Sequence, residues 1–290
     1  MIKSIKNYLS LVKFSHTIFA LPFALIGYFL GIVKTHSGIE IALLFKVVFC
    51  MITVRTAAMA FNRYIDRYID SQNARTKGRE IPAGTIRPNA ALILVVVSSA
   101  LFVLTTYFIN PICFYLSPVA LAVVLGYSFT KRFTALCHLI LGIGLSLAPI
   151  GAYLAVTGTF DWLPLFFSFA VICWVSGFDI IYALQDDEFD LLLQLHSIPA
   201  FLGRKNALHF SSVLHLIAIF FLVLAGRSFD FSWLYWMGVT IFSSLIIYQH
   251  TLVKPNDLSK VNMAFGTTNG IASLIFCSFV ITDLLSKNTL

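Results

Sequence analysis

The stretch IALLFKVVFCMITVRTAAMAFNRYIDRYID, residues 41–70, decides how this chain is read. Its first two thirds form an apolar run of the length that crosses a bilayer core, about 20 residues as an α-helix. Its end is polar, with Asn62, Asp66 and Asp70 at i, i+4 and i+8. On a helix that spacing puts three oxygen-bearing side chains on one face, roughly 6 Å apart. Like charges at i, i+4 repel, so this face calls for a cationic partner.

Working outward, the 290 residues are 59% hydrophobic and only 11% charged, against about 25% charged in a soluble domain. Mean hydropathy is +0.88. The fold class expected is all-α: a polytopic membrane bundle of nine spans, near 17–33, 42–62, 91–109, 112–130, 136–156, 163–185, 207–225, 233–253 and 264–284. With the N-terminus in the cytoplasm, the inside segments hold fifteen of the 20 Lys and Arg residues and the outside segments three. That asymmetry fits the positive-inside rule. The net charge of +7 is therefore an orientation signal, and no nucleic-acid partner is expected. The first apolar run follows Lys3, Lys6 and Lys13 and lacks a small-residue cleavage site, so no cleaved leader is expected. The five cysteines lie in or beside apolar segments without a CxxC pair and read as small buried hydrophobes. One domain, residues 1–290, is expected.

The two longest inside loops carry the chemistry. Loop 63–90 follows the first acidic cluster. Loop 186–206 follows a second, DIIYALQDDEFD, in which Asp186 and Asp190 are again i, i+4 and Asp179 lies two turns earlier. Each loop then contains Ile-Pro-Ala (81–83 and 198–200), which suggests two related halves. Together the clusters hold seven of the thirteen acidic residues. The plain alternative is a pair of solvated helix ends. However, a carboxylate near the bilayer core costs about 2.5–3.5 kcal/mol, and two matched clusters on one membrane side favour a site. An all-oxygen donor set suits a hard divalent cation, and no His or Cys stands at zinc-ligand spacing. Mg²⁺ takes one or two carboxylates and completes its shell with water and phosphate. Arg63, Arg67, Lys77, Arg79, Lys131 and Arg132 lie on the same side and suit phosphate oxygens. Arg55 sits seven residues before Asn62, on the same face and ~10 Å deeper. An arginine at that depth needs an anionic partner. That partner is either a group on another helix or a bound anion.

Taken together, these residues resemble the UbiA-type intramembrane aromatic prenyltransferases. The resemblance rests on NxxxDxxxD at 62–70, DxxxD at 186–190 preceded by Asp179 and Tyr182-Ala183, YSFTKRFTALCHLILG at 127–142, FSHTIFALPFALIG at 14–27 and APIGAYLAVTG at 148–158. It implies a helical bundle around a central cavity that opens to lipid and is capped by the two loops. It also implies Mg²⁺-dependent transfer of a polyprenyl group from its diphosphate to an aromatic acid, with no obligate protein partner. Asn62, Asp66, Asp70, Asp186 and Asp190 match the metal and diphosphate positions, with Asp179 beside them. Arg79 and Lys131 match the cations around the diphosphate, next to Arg132, and Arg55 matches an arginine before the first motif. Tyr127 and Tyr182 adjoin charged motifs and are candidates at the reacting centre, and His196 is a candidate substrate contact.

Two places depart from the family's pattern: Arg63 stands where many relatives have Asp, and the run after Asp190, LLLQLHSIP, is largely apolar where relatives usually carry charge. The resemblance favours 4-hydroxybenzoate as acceptor in respiratory quinone synthesis, in a bacterial cytoplasmic (inner) membrane with the site facing the cytoplasm. The alternative acceptor is a dihydroxynaphthoate of a menaquinone route, which NRYIDRYID and YALQDDEFD also resemble. A cation-coupled transporter is the rival of a different class, but its carboxylates would lie at the midplane. A lipid-binding scaffold without chemistry is a third reading.

Overall fold

The computed structural model describes residues 2–13 and 19–288. Residues 14–18, which begin the first predicted span and the 14–27 motif, lie outside the described residues. Among the described residues the chain is helical, with a single isolated bridge, Lys254 to Asp257. The helices are α1 (Ile2–Leu11), α2 (Leu21–Thr35), α3 (Ile41–Ile65), α4 (Arg67–Gln72), α5 (Pro88–Tyr107), α6 (Pro111–Thr130), α7 (Cys137–Thr157), α8 (Trp162–Ala183), α9 (Asp187–Leu192), α10 (Ile198–Ser228), α11 (Trp233–Leu252) and α12 (Asn269–Asn288). A π-helical turn, Met263–Thr268, leads into α12.

Among the described residues, each of the nine predicted spans holds a helix. Seven segments among the described residues are long and apolar enough to cross a membrane: α3, α5, α6, α7, α8, α10, and the π-turn together with α12. The other two are α2, apolar but only 15 residues long, and α11, where Gln249 and His250 interrupt the apolar run. The seventh predicted span begins earlier than the sequence indicates. α10 starts at Ile198 and bends at Gly203, whose backbone is not helical (φ 75°, ψ 160°). A side chain is strongly disfavoured at that backbone conformation, so glycine suits the bend.

The helices pack as a ring in which neighbours in sequence tend to be neighbours in space. α8 lies against α7 and α10, α2 against α7 and α12, α3 against α5, and α11 against α12. Among the glycines, the tightest approach is at Gly27 of α2, where a Cβ would stand 2.0 Å from the Pro149 carbonyl oxygen of α7. One half of the bundle is filled by Phe23, Phe167, Trp174, Phe178, Phe242 and Phe276. Trp174 donates to Asn269 at 2.8 Å, and Asn269 donates to the carbonyls of Ala264 and Phe265 at 2.9 Å. The carbonyls loosened by the π-turn are thereby satisfied. At the other end of α12, Asp283 is fully buried and accepts from the backbone N–H groups of Ser232 and Tyr235 at 2.9 Å, capping α11. Large apolar side chains on α5 and α6, such as Ile93, Val96, Tyr115 and Val119, are exposed, as lipid-facing surfaces require.

Candidate active site

The first acidic cluster does not lie on one unbroken helix. α3 stops at Ile65, and Asp66 is the hinge residue (φ −87°, ψ 2°) before the six-residue α4. The i to i−4 bonding nevertheless runs through the hinge: Asp66 N–H donates to Asn62 C=O at 2.9 Å and Asp70 N–H to Asp66 C=O at 2.8 Å. The predicted face survives for that reason. The second cluster repeats the arrangement. α8 ends at Ala183, Asp186 is the hinge residue before the six-residue α9, and Asp190 N–H donates to Asp186 C=O at 2.7 Å. Span, aspartate hinge, short helix with a buried second aspartate: both halves share this order, as the paired motifs suggested.

The clusters face each other across a polar cavity of ≈ 270 Å³ lined by Asn62, Asp66, Asp70, Asp179, Asp186 and Asp190. Arg55, Arg79, Lys131, Tyr127 and Tyr182 line it as well. A second cavity of ≈ 370 Å³ is almost wholly apolar and lies among α3, α5, α6 and α7. Arg55, Met59, Tyr127, Leu141 and Leu145 line both, so the two chambers meet at Arg55 and Tyr127.

The cationic partner expected for the acidic face is built from side chains. Arg132 pairs with Asp66 at 2.8 Å, Arg79 with Asp70 at 2.6 Å and Lys131 with Asp190 at 2.7 Å. Arg75 reaches across from the first loop to the second, grips Asp186 with two guanidinium nitrogens, and donates to the Tyr182 hydroxyl at 3.0 Å. Asn73 donates to the same Asp186 carboxylate at 2.9 Å. Asp179 is paired with His138 at 2.7 Å, and Ile198 N–H meets the far His138 nitrogen at 3.3 Å. Burial pushes the Asp66 carboxyl above the usual carboxylate range, offset only in part by Arg132. Burial also raises Asp186, but the hydrogen bonds and charge of Arg75, with Asn73, outweigh it and hold that carboxyl below the usual range.

The cavity's donor set fits a hard divalent ion. Asp70 Oδ2 and Asp190 Oδ2 are buried oxygens without a hydrogen-bond partner, one from each cluster. Among the described residues, no three His, Cys, Asp or Glu side chains stand close enough to cage a metal by themselves. A resident ion would therefore complete its shell with water and ligand phosphate, which Mg²⁺ does readily.

Several expectations need correction. His196 is exposed and absent from the cavity wall, its backbone N–H bonded to the Lys131 carbonyl at 2.8 Å. The next residue, Ser197, caps α10, its side chain accepting from Ala200 N–H at 3.3 Å. Arg132 holds Asp66 from outside the cavity wall instead of lining it. Arg67 stacks over Tyr64 and Tyr68, 4.3 and 4.4 Å from their ring centres, and Lys77 is exposed. Asn73, Arg75 and His138 went unnoticed in the sequence. Arg75 is one of six basic residues in its loop, and nothing in its spacing marks it as the one that crosses to Asp186. Phe265 also lines the cavity, 4.2 Å from the Tyr182 ring centre, because the π-turn presents it there.

Known proteins resemble this chain over nearly its whole length. A 4-hydroxybenzoate octaprenyltransferase of Vibrio campbellii is 31% identical over 231 residues, covering 79% of this chain and 80% of that protein. One of Francisella tularensis is 27% identical, covering 88% of both. Among solved structures, a UbiA homologue from Aeropyrum pernix K1 superposes with TM-score 0.83 at 30% identity, covering 92% of this chain and 98% of that one. A UbiA homologue from Archaeoglobus fulgidus bound to GPP and Mg²⁺ shares the fold, with TM-score 0.74 at 20% identity over 96% of this chain and 99% of that one. The model of the UbiA prenyltransferase family matches residues 20–279. Paired aspartate hinges, cations that tie the two loops together and an apolar chamber beneath them agree with that match: the chain belongs to the UbiA prenyltransferase family.

Proposed function

We propose that the protein transfers a polyprenyl group from polyprenyl diphosphate to an aromatic acid, most simply 4-hydroxybenzoate, at a site that requires Mg²⁺. The observation that carries this reading is the junction of two unlike chambers at Arg55 and Tyr127. A prenyl diphosphate has the matching division, an anionic head and a long apolar tail. The head belongs with the facing aspartate hinges and the cations around them, and the tail belongs in the apolar cavity. Asn62, Asp66, Asp70, Asp186 and Asp190 would hold the metal, with Asp179 oriented by His138 beside them. The metal, when bound, withdraws negative charge from the diphosphate. Arg79 and Lys131, already aimed into the cavity, add positive field at the departing group.

At the reacting centre the allylic C–O bond breaks and the diphosphate keeps the electron pair. An electron-rich ring carbon of the acceptor then bonds to the allylic carbon and loses its proton. The chain's part is to align the two partners and exclude water from the cation. Tyr127 lines both chambers and Tyr182 is held by Arg75 and Phe265, so both present aromatic surface where positive charge develops. Arg55 forms no hydrogen bond or ion pair with any described residue, and its Nε is buried without a partner. A carboxylate of the acceptor satisfies it with a two-pronged contact.

A dihydroxynaphthoate acceptor is the second reading, supported by the resemblance of NRYIDRYID and YALQDDEFD to that branch of the family. Both acceptors carry the carboxylate that Arg55 calls for. The deciding experiment offers purified protein each acceptor with one radiolabelled polyprenyl diphosphate and Mg²⁺, with EDTA controls. Labelled prenyl-hydroxybenzoate that disappears in EDTA is the expected product. Transfer to the naphthoate alone selects the second reading. Full activity after exhaustive chelation would overturn the metal assignment, and cation flux in vesicles without transfer would overturn both acceptor readings.

A further inference from the structure

Each of the five carboxylates that line the polar cavity already has a cationic or imidazole partner: Asp66 with Arg132, Asp70 with Arg79, Asp179 with His138, Asp186 with Arg75 and Asp190 with Lys131. Two guanidiniums of α3 that line the same cavity have none among the described residues. Arg55 is one. Arg63, eight residues later and ~12 Å further along the helix, is the other. Arg63 is 5% exposed, lines the polar cavity only, and its buried Nε lacks a hydrogen-bond partner.

A buried charge without a partner is strongly unfavourable. The carbonyl end of α3, whose last turn contains Arg63, compensates part of it. What completes it is an anion arriving from outside the chain. Because Arg55 stands where the two chambers meet and Arg63 stands only in the polar one, the two arginines receive anions at two depths. The cations committed to carboxylates, Arg75, Arg79 and Lys131, would have to loosen those pairs to hold a phosphate. Arg63 would not.

Resting on the prenyl-transfer reading above, we propose that Arg63 is a binding residue for the donor's diphosphate that works without a divalent ion, so that the apo cavity captures the donor before or apart from the metal. Its planar fork suits two phosphate oxygens at once.

The test is calorimetry on the full-length protein in nanodiscs with geranyl thiolodiphosphate, a donor analogue that resists ionisation, in EDTA and then in Mg²⁺. The wild type is expected to bind the analogue in EDTA. Arg63→Gln is expected to weaken that binding about 10-fold or more, as loss of a charge-assisted two-pronged contact requires. Arg63→Lys, which keeps the charge and loses the fork, is expected to fall between the two and serves if the glutamine variant fails to fold. Affinity for 4-hydroxybenzoate, measured in parallel, is expected to stay unchanged. Analogue binding in EDTA that is the same in wild type and both variants overturns the proposal, as does a loss that falls on 4-hydroxybenzoate instead. Wild-type binding seen only with Mg²⁺ overturns it too while leaving the prenyl-transfer reading intact. No binding of the analogue in either condition overturns that reading itself.

Discussion

At the scale of the residue, charge placement distinguishes groups that hold the site together from groups that wait for ligand. On the proposed function, Arg55 belongs to the second kind. Arg55→Lys keeps the charge and loses the guanidinium fork, so it is expected to raise the acceptor KM at least 10-fold, about 1.4 kcal/mol of lost binding, with a much smaller change in the donor KM. Steady-state kinetics with each substrate varied in turn provides the check, and equal changes in both would remove Arg55 from the acceptor. The carboxylates differ from one another in acid. Asp66 lies above the usual carboxylate range and Asp186 below it. As pH falls, Asp66 therefore takes up its proton first and releases Arg132, while the Arg75–Asp186 strut, whose stabilisation is complete above the unfolded carboxylate pKa, is lost only as pH drops through the lower folded value. The acid limb of kcat/KM is expected to follow Asp66. Arg132 lowers the Asp66 pKa, so Arg132→Gln raises it and moves that limb to higher pH. An unmoved limb would mean that another group sets it.

At the scale of the element, the two hinges matter more than the long spans. In each half a span ends at an aspartate, the backbone bends, and a helix of six residues carries the second aspartate inward. The bend keeps the i to i−4 bond, and this explains why Asn62, Asp66 and Asp70 still share one face although the helix is interrupted. The spans themselves are positioned by close contacts such as Gly27 of α2 against Pro149 of α7. Pro149 lacks an N–H to give to the helix and sits inside α7, and the absence of a side chain at position 27 lets the backbones meet. Gly27→Ala is expected to push α2 from α7 and cost about 1–3 kcal/mol or more, the usual range for overpacking. A thermal melt of purified protein in detergent should show a clear fall in midpoint. A melt identical to wild type would mean the contact is looser than its 2.0 Å approach implies.

At the scale of the whole molecule, the acidic hinges, their cations and the cavity between them lie at one end of the bundle, and the apolar chamber opens beside them. The distribution of Lys and Arg supports the proposal that this end faces the cytoplasm. Lys77 is exposed on the first loop, so a Lys77→Cys variant made in a background without the native cysteines is expected to react with a membrane-impermeant maleimide in inverted vesicles and not in intact cells. The reverse pattern would turn the molecule over.

The amino-acid sequence by itself determined the helical membrane fold and the shared faces of its two acidic clusters. Apolar runs of bilayer length have few folded alternatives to membrane helices, because backbone groups in lipid must bond within their own segment. Carboxylates repeated at i, i+4 at the ends of two such helices mark a shared face through local geometry alone. The partners were decided only by tertiary structure. Arg75 crosses more than a hundred residues to Asp186, His138 comes from α7 to Asp179 on α8, and Phe265 reaches Tyr182 from a π-turn next to α12. His196, close in sequence to the second cluster, is exposed and off the cavity wall, while Arg63 is left buried at the cavity without a partner among the described residues. Pairings of this kind depend on which helices pack together and how each loop folds back. No local period in the chain records that, because the contacts join residues whose separation in sequence carries no information about their distance in space.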